Sequence, residues 1–135
     1  MITSLRPMLV SSGPLRPDSD KYAFEVKWDG FRALVAASPG AVVITSRNGN
    51  DMTHRYPELR AMGDAVSVPA LLDGEIVALG DDGNPDFAAL WFRDRSRGTY
   101  RPGRLCFMAF DVLRVGDDDV LDRPYRERRA VLEGL

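Results

Sequence analysis

The sequence predicts an α+β fold, mainly antiparallel sheet flanked by short helices. Three observations carry this. Strand-like stretches outnumber helical ones. Several are joined by turns that suit antiparallel hairpins, whereas parallel pairing needs crossovers of a dozen residues or more. The 135 residues show no internal repeat and enough apolar content for one core, so a single domain is expected.

Residues 1–21 contain Pro7, Pro14, Pro17 and Gly13 and read as an extended lead-in; the domain proper is expected over 22–135. Tyr22, Phe24, Val26 and Trp28 alternate with Ala23, Glu25, Lys27 and Asp29. That period of two predicts a strand with one core face and one polar face, on which Glu25 and Asp29 flank Lys27. Asp29-Gly30 is a turn signal, and residues 31–37 read as the second strand of a hairpin. Pro39-Gly40 turns the chain into a third strand, 41–46, which ends in the polar residues 47–51.

Tyr56, Leu59 and Met62 recur at helical spacing, predicting a short helix over about 55–65. Residues 71–79 read as a strand, with Gly74 signalling a bulge or the close approach of a ligand. Asp86 is placed to cap a helix with the apolar stripe Phe87, Leu90 and Trp91. Residues 105–113 are apolar on both faces, which predicts a central strand between two layers. Residues 117–119 read as a hairpin tip. Asp122 and Pro124 open a last helix, and Gly134 suits its stop.

The formal charge of −2 gives no global basic field, so nucleic acid would have to meet a local patch. Arg93, Arg95, Arg97, Arg101 and Arg104, with Trp91, Phe92 and Tyr100, form the candidate; a solvated loop is the plain alternative. The single Cys106 excludes a disulfide framework, fits a reducing compartment and reads as an inert core thiol. No stretch approaches the length of a membrane span, so a cytoplasmic location is expected. His54, the only histidine, reads as a surface residue.

Every basic residue except Lys21 and Lys27 is arginine. Arginine stays charged, whereas a desolvated lysine can lose its proton and attack. Phe24, Trp28 and Phe31 would desolvate Lys27, while Glu25 and Asp29 would oppose the loss of its proton. On spacing alone, an ordinary ion-paired lysine is the simpler reading.

The motif around it carries more. Lys27-Trp28-Asp29-Gly30-Phe31-Arg32 matches Lys-x-Asp-Gly-x-Arg, the signature of covalent nucleotidyltransferases. Ser46-Arg47-Asn48-Gly49, then residues 72–77 with Asp73-Gly74-Glu75, then residues 107–113 with Phe110-Asp111 resemble further motifs of that family, in order. Arg6-Pro7-Met8-Leu9 resembles the lead-in of bacterial ATP-dependent DNA ligases. On these residues the chain resembles the adenylation domain of ATP-dependent DNA ligases over nearly its whole length. RNA ligases and capping guanylyltransferases are the alternatives within the superfamily; Asp73-Gly74-Glu75 and Pro7-Met8-Leu9 favour DNA ligase. A non-catalytic nucleotide- or DNA-binding module is the alternative outside catalysis.

The resemblance implies an ATP-grasp-like nucleotidyltransferase fold and a division of roles. Lys27 attacks the α-phosphate of ATP, expels pyrophosphate and keeps AMP as a phosphoramide. Asp29 orients Lys27 or contacts the nick. Glu25 meets the adenine amino group, and Phe110 stacks on adenine. Arg32 and Arg47 hold the ribose and a neighbouring phosphate or nick group. Glu75 binds the ribose hydroxyl or supports a Mg2+ or Mn2+ ion. Phosphoryl transfer relies on positioning and charge neutralisation, which agrees with arginines and a cation. Without the resemblance Phe110 reads as core, Arg47 as a solvated turn and Glu75 as a surface charge.

The family's later motifs, Glu-Gly-x-Val and a lysine-rich motif, and its oligonucleotide-binding fold do not follow within these residues. The expectation is therefore a truncated adenylation domain, inactive or partly active alone, whose partner in the whole enzyme is nicked duplex DNA in repair, replication or recombination. Strands lacking later neighbours predict open edges and self-association.

Overall fold

Residues 5–14, 18, 21–96 and 104–135 are described by the computed structural model. They build one antiparallel sheet of five strands: β1 (Phe31–Ser38), β2 (Ala41–Ser46), β3 (Ala70–Leu79), β4 (Arg104–Val115) and β5 (Asp118–Asp119). The spatial order is β2-β1-β3-β4-β5. With its few short helices this is the expected α+β architecture.

Local chemistry explains most elements. Val42, Val43, Ile44 and Thr45 in β2 are β-branched and suit a pleated surface. A two-residue connection joins β2 to β1, with Ser38 opposite Ala41 and Gly40 at φ 75°, a value glycine adopts freely. Residues 53–65 form two 3-10 turns, Thr53–Arg55 and Pro57–Ala61, before a single α-helical turn, α1 (Met62–Ala65). Asp86 caps α2 (Phe87–Arg95) as expected, accepting from the Ala89 N–H at 2.8 Å. α3 (Tyr125–Glu133) starts at Pro124 with no side-chain cap, so Asp122 does not serve there.

Ala33, Val35, Ile44 and Ile76 form the main core with Tyr56, Leu59 and Leu90, which come from the turns and α2. This is the helix-covered face of the sheet. Arg93 of α2 is locked beneath it. Its guanidinium donates to the Arg55 carbonyl at 2.7 Å and to both Glu58 carboxylate oxygens at 2.8 Å, and lies over the Tyr56 ring. The Tyr56 hydroxyl is buried and makes no hydrogen bond of good geometry among the described residues; burial, with the nearby Asp94, pushes it up to about 12.

Two of the strand expectations fail. Residues 22–29 are not a strand: Phe24 and Val26 are 69% and 65% exposed, and Asp29-Gly30 is no hairpin turn. Alternation says which side chains would be buried if a neighbour were present, but both edges of β1 are already taken by β2 and β3. Nor is β4 central. β3 pairs with it along its length, but among the described residues its outer side meets a strand only at Arg114 and Val115, through the two-residue β5. Its apolar run, half-buried Cys106 included, shows that both faces suit cover without showing what covers them.

The irregularity signalled by Gly74 is present on the partner strand. Gly74 faces Ala109 and Asp73 faces Asp111, which leaves Phe110 as the extra residue of a bulge. What approaches Gly74 is the Phe107 ring: a Cβ there would lie 2.5 Å from its edge. Among the described residues no helix is long and apolar enough to cross a membrane.

Candidate active site

The sheet face turned away from α2 changes from apolar to polar along β1 and β3. Leu34 and Leu71 pack there with Leu113 and Leu5. Two and four residues along, on the same face, stand Arg32, Asp73 and Glu75. Arg32 donates from Nε and Nη2 to the two oxygens of Asp73 at 2.6 and 2.8 Å. Asp73 is only 6% exposed, so this bidentate pair is structural; removing one partner of a buried pair costs about 3–5 kcal/mol. The bond to Asp73 raises the Arg32 pKa above its ordinary value, against the effect of burial.

The bulge aims Phe110 at this pair, and the Arg32 guanidinium lies 4.4 Å over its ring. It also brings Asp111 opposite Asp73. Two facing carboxylates would repel, but each has its own arginine: Arg128 of α3 donates to both Asp111 oxygens at 2.8 Å.

Glu75 faces Arg32 across the strands. Burial pushes its carboxyl above the usual range; the Arg32 and Lys27 charges and the Gly30 N–H oppose this, and Asp29 reinforces it. Gly30 touches β3 so closely that a Cβ would lie 2.0 Å from the Ile76 carbonyl oxygen. A glycine is therefore required, and this contact sets residues 27–29 beside Glu75.

Glu25, Lys27, Arg32, Arg47, Glu75 and Phe110 line one cleft of 540 Å³, with Trp28 and a lip formed by Met8, Leu9 and Val10. A small-molecule site typically measures about 300–1,000 Å³. A neighbouring cleft of 390 Å³ shares Arg32, Arg47 and Glu75 and continues to Asn48 and Arg55. Another of 630 Å³ shares Glu25, Arg32 and Phe110 and continues to Tyr125 and Arg128. Asp29 is exposed and lines none of the three.

The environment of Lys27 differs from the expectation. Phe24 points to solvent and Phe31 packs on the other face, its ring 5.7 Å from that of Phe87. Trp28 alone of the three aromatics lines the cleft, and Lys27 is exposed. Glu25 turns to α3, where the Tyr125 hydroxyl donates to its Oε1 and Arg129 Nη1 stands 3.8 Å away. Burial and this bond push Tyr125 up to about 12.

The arginine patch loses its first member, since Arg93 is buried in the ion pair with Glu58. Exposed Arg95 lies over the Trp91 ring, and Arg104 is also exposed. Arg97, Tyr100 and Arg101 lie outside the described residues. No group of three or more metal-ligating side chains gathers among the described residues. Glu25 and Glu75 are the carboxylates that line the 540 Å³ cleft, so a divalent ion there would take most of its ligands from phosphates and water, as Mg2+ commonly accepts.

Sequence reasoning did not reach the partners of these groups. Asp73 and Asp111 lie inside the recognised motifs, but nothing local pairs them with Arg32 and Arg128. Nothing ties Tyr125 to Glu25, 100 positions away.

Comparisons with known proteins agree with the geometry. The family model "ATP dependent DNA ligase domain" matches residues 7–135. The multifunctional non-homologous end joining DNA repair protein LigD of Mycobacterium tuberculosis is 41% identical over 134 residues, covering 98% of this chain and 17% of the relative. DNA ligase C2 of Mycolicibacterium smegmatis is 38% identical over 140 residues, covering 98% and 38%. The crystal structure of the M. tuberculosis LigD ligase domain superposes with TM-score 0.68 at 41% identity, over 79% of this chain and 33% of that one. A mycobacterial DNA ligase D complexed with ATP and MES superposes with TM-score 0.71 at 40% identity, over 82% and 35%. The chain thus spans less than two-fifths of each.

Proposed function

The chain belongs to the family of ATP-dependent DNA ligase domains, and on that premise we propose that its cleft binds ATP and carries the self-adenylation step of DNA ligation. One observation carries the reading. Side chains from four separated motifs, Glu25 and Lys27, Arg47, Glu75, and Phe110, converge on a single cleft of 540 Å³.

In this reading the Lys27 amine attacks the α-phosphate, a P–N bond forms, and the P–O bond to pyrophosphate breaks. A lysine attacks only as the neutral amine. Arg47 and Arg32 flank the cleft with positive charge. Because Arg32 already holds Asp73 and covers one face of Phe110, its role is to position that ring and offer remaining N–H groups to the ribose or phosphates. Adenine stacks beside Phe110, where one base–aromatic contact is worth about 1–3 kcal/mol. Glu25 accepts from the adenine amino group. Glu75 meets the ribose hydroxyl or supplies one oxygen to a divalent ion. Asp29, exposed two residues from Lys27, orients the lysine or contacts the nick.

Nicked or broken duplex DNA is the proposed second substrate, in DNA repair within the bacterial cytoplasm. The names of the LigD relatives, which specify end joining, support that setting. Incubation with α-labelled ATP and magnesium followed by denaturing electrophoresis tests the step. Label on the wild-type chain and none on Lys27→Ala is expected. Equal label on both would overturn the assignment of Lys27.

A further inference from the structure

Glu25 sits on an exposed stretch with no strand beside it, yet it is not loose. Among the described residues its side-chain partners are Tyr125 and Arg129, both on α3. α3 itself is fastened to the sheet. Arg128 grips Asp111 with two hydrogen bonds of 2.8 Å and donates to the Arg123 carbonyl at 2.6 Å. Val131 and Leu132 pack against the cluster of Leu72 and Val112. The guanidinium of Arg128 also lies 5.8 Å over the Tyr125 ring, which fixes the phenol. A rigid helix thus holds a carboxylate that its own backbone does not.

We propose that Tyr125 and Arg129 are positioning residues that select the nucleobase. Tyr125 bonds Oε1 of Glu25, and Arg129, whose Nε holds Glu133 Oε1 at 2.9 Å, stands 3.8 Å from the same oxygen, while the Glu25 side chain lines the cleft. A carboxylate accepts hydrogen bonds and donates none. Fixed in place, its remaining lone pairs accept from a purine that carries an amino group on its six-membered ring edge. It repels a purine carrying a carbonyl oxygen there, because two acceptors then face each other without a proton. A glutamate free to rotate would turn away from the wrong base and discriminate less. This rests on the reading above that a purine nucleotide occupies the cleft and that Glu25 meets its base.

Tyr125→Phe removes the hydroxyl and keeps the ring over which Arg128 lies, so the fold is retained. The readouts are equilibrium binding of ATP and of GTP by the full chain, and the melting temperature. The expected result is a ratio of ATP to GTP affinity lowered about tenfold, the scale of one hydrogen bond to a charged group, with ATP bound more weakly, GTP bound no more weakly than by wild type, and the melting point unmoved. Arg129→Lys, which keeps a cation, is expected to retain more of the ATP preference than Arg129→Ala. An unchanged ratio of ATP to GTP affinity in Tyr125→Phe overturns the proposal. Loss of preference in Glu25→Ala with preference kept in Tyr125→Phe overturns the positioning role alone. A wild-type chain that binds neither nucleotide overturns the underlying reading, and this inference with it.

Discussion

Replacing Gly30 by alanine should damage the site without removing any functional group from it. The added Cβ would lie 2.0 Å from the Ile76 carbonyl oxygen and 3.0 Å from Cγ of Glu75. Ordinary contact begins near 3.4 Å, so the segment must retreat from β3 by more than an ångström. Ile76 is fully buried in the middle strand of the sheet and cannot give way. Retreat stretches the Gly30 N–H bond to Glu75 and carries Lys27, three residues upstream, out of register with the cleft. Overpacking of this kind costs about 1–3 kcal/mol, and a misplacement of about 1 Å can cost about 10²-fold in rate. Single-turnover labelling with α-labelled ATP gives the rate, and thermal denaturation gives the stability. Gly13→Ala is the control, since a Cβ there meets nothing within 4 Å. A Gly30→Ala chain that labels at the wild-type rate and melts at the wild-type temperature would refute the argument that this contact sets the position of Lys27.

Three further outcomes follow from the same geometry. Burial raises the Glu75 pKa, so the folded chain loses stability as pH rises from the ordinary carboxyl value through the raised one. Glu75→Gln should therefore melt higher than wild type at pH 7, with the gap closing toward pH 4, while nucleotide labelling falls; a lower melting point at pH 7 would contradict this. Arg93→Ala removes both bonds to the Glu58 carboxylate and the donor to the Arg55 carbonyl, and should cost about 3 kcal/mol, or about 10 °C in melting temperature; a shift of a degree or less would return Arg93 to the surface patch. Among the described residues the outer side of β4 has a strand partner only at its end, so sedimentation at micromolar concentration should detect dimers; monomer alone would remove edge pairing.

The sequence disclosed what depends on spacing. Strands 31–38, 41–46 and 70–79 were legible because alternation, β-branched residues and a Pro-Gly turn are local signals. The chemical groups were legible because the motifs place fixed residue types at fixed offsets, so Lys27, Arg47, Glu75 and Phe110 could be expected at one cleft before any fold was known. What escaped depends on partners. Residues 22–29 alternate as a strand does, but pairing is decided by what else borders β1. The same limit hid the exposure of Lys27, the bonds from Arg32 to Asp73 and from Arg128 to Asp111, and the role of Arg93, which composition alone placed on a basic surface. Each is a long-range contact whose two ends carry no mark of each other.

The link between Glu25 and Tyr125 spans 100 positions, and this has a consequence in time. A ribosome adding about 5–20 residues per second releases Lys27 and its motif roughly 5–20 s before α3 has been made. In that interval β1 and β2 can pair, because their contacts are near in sequence, whereas the Glu25 wall of the cleft lacks its contacts to α3. Lys27 is thus made well before the helix that holds its neighbour Glu25.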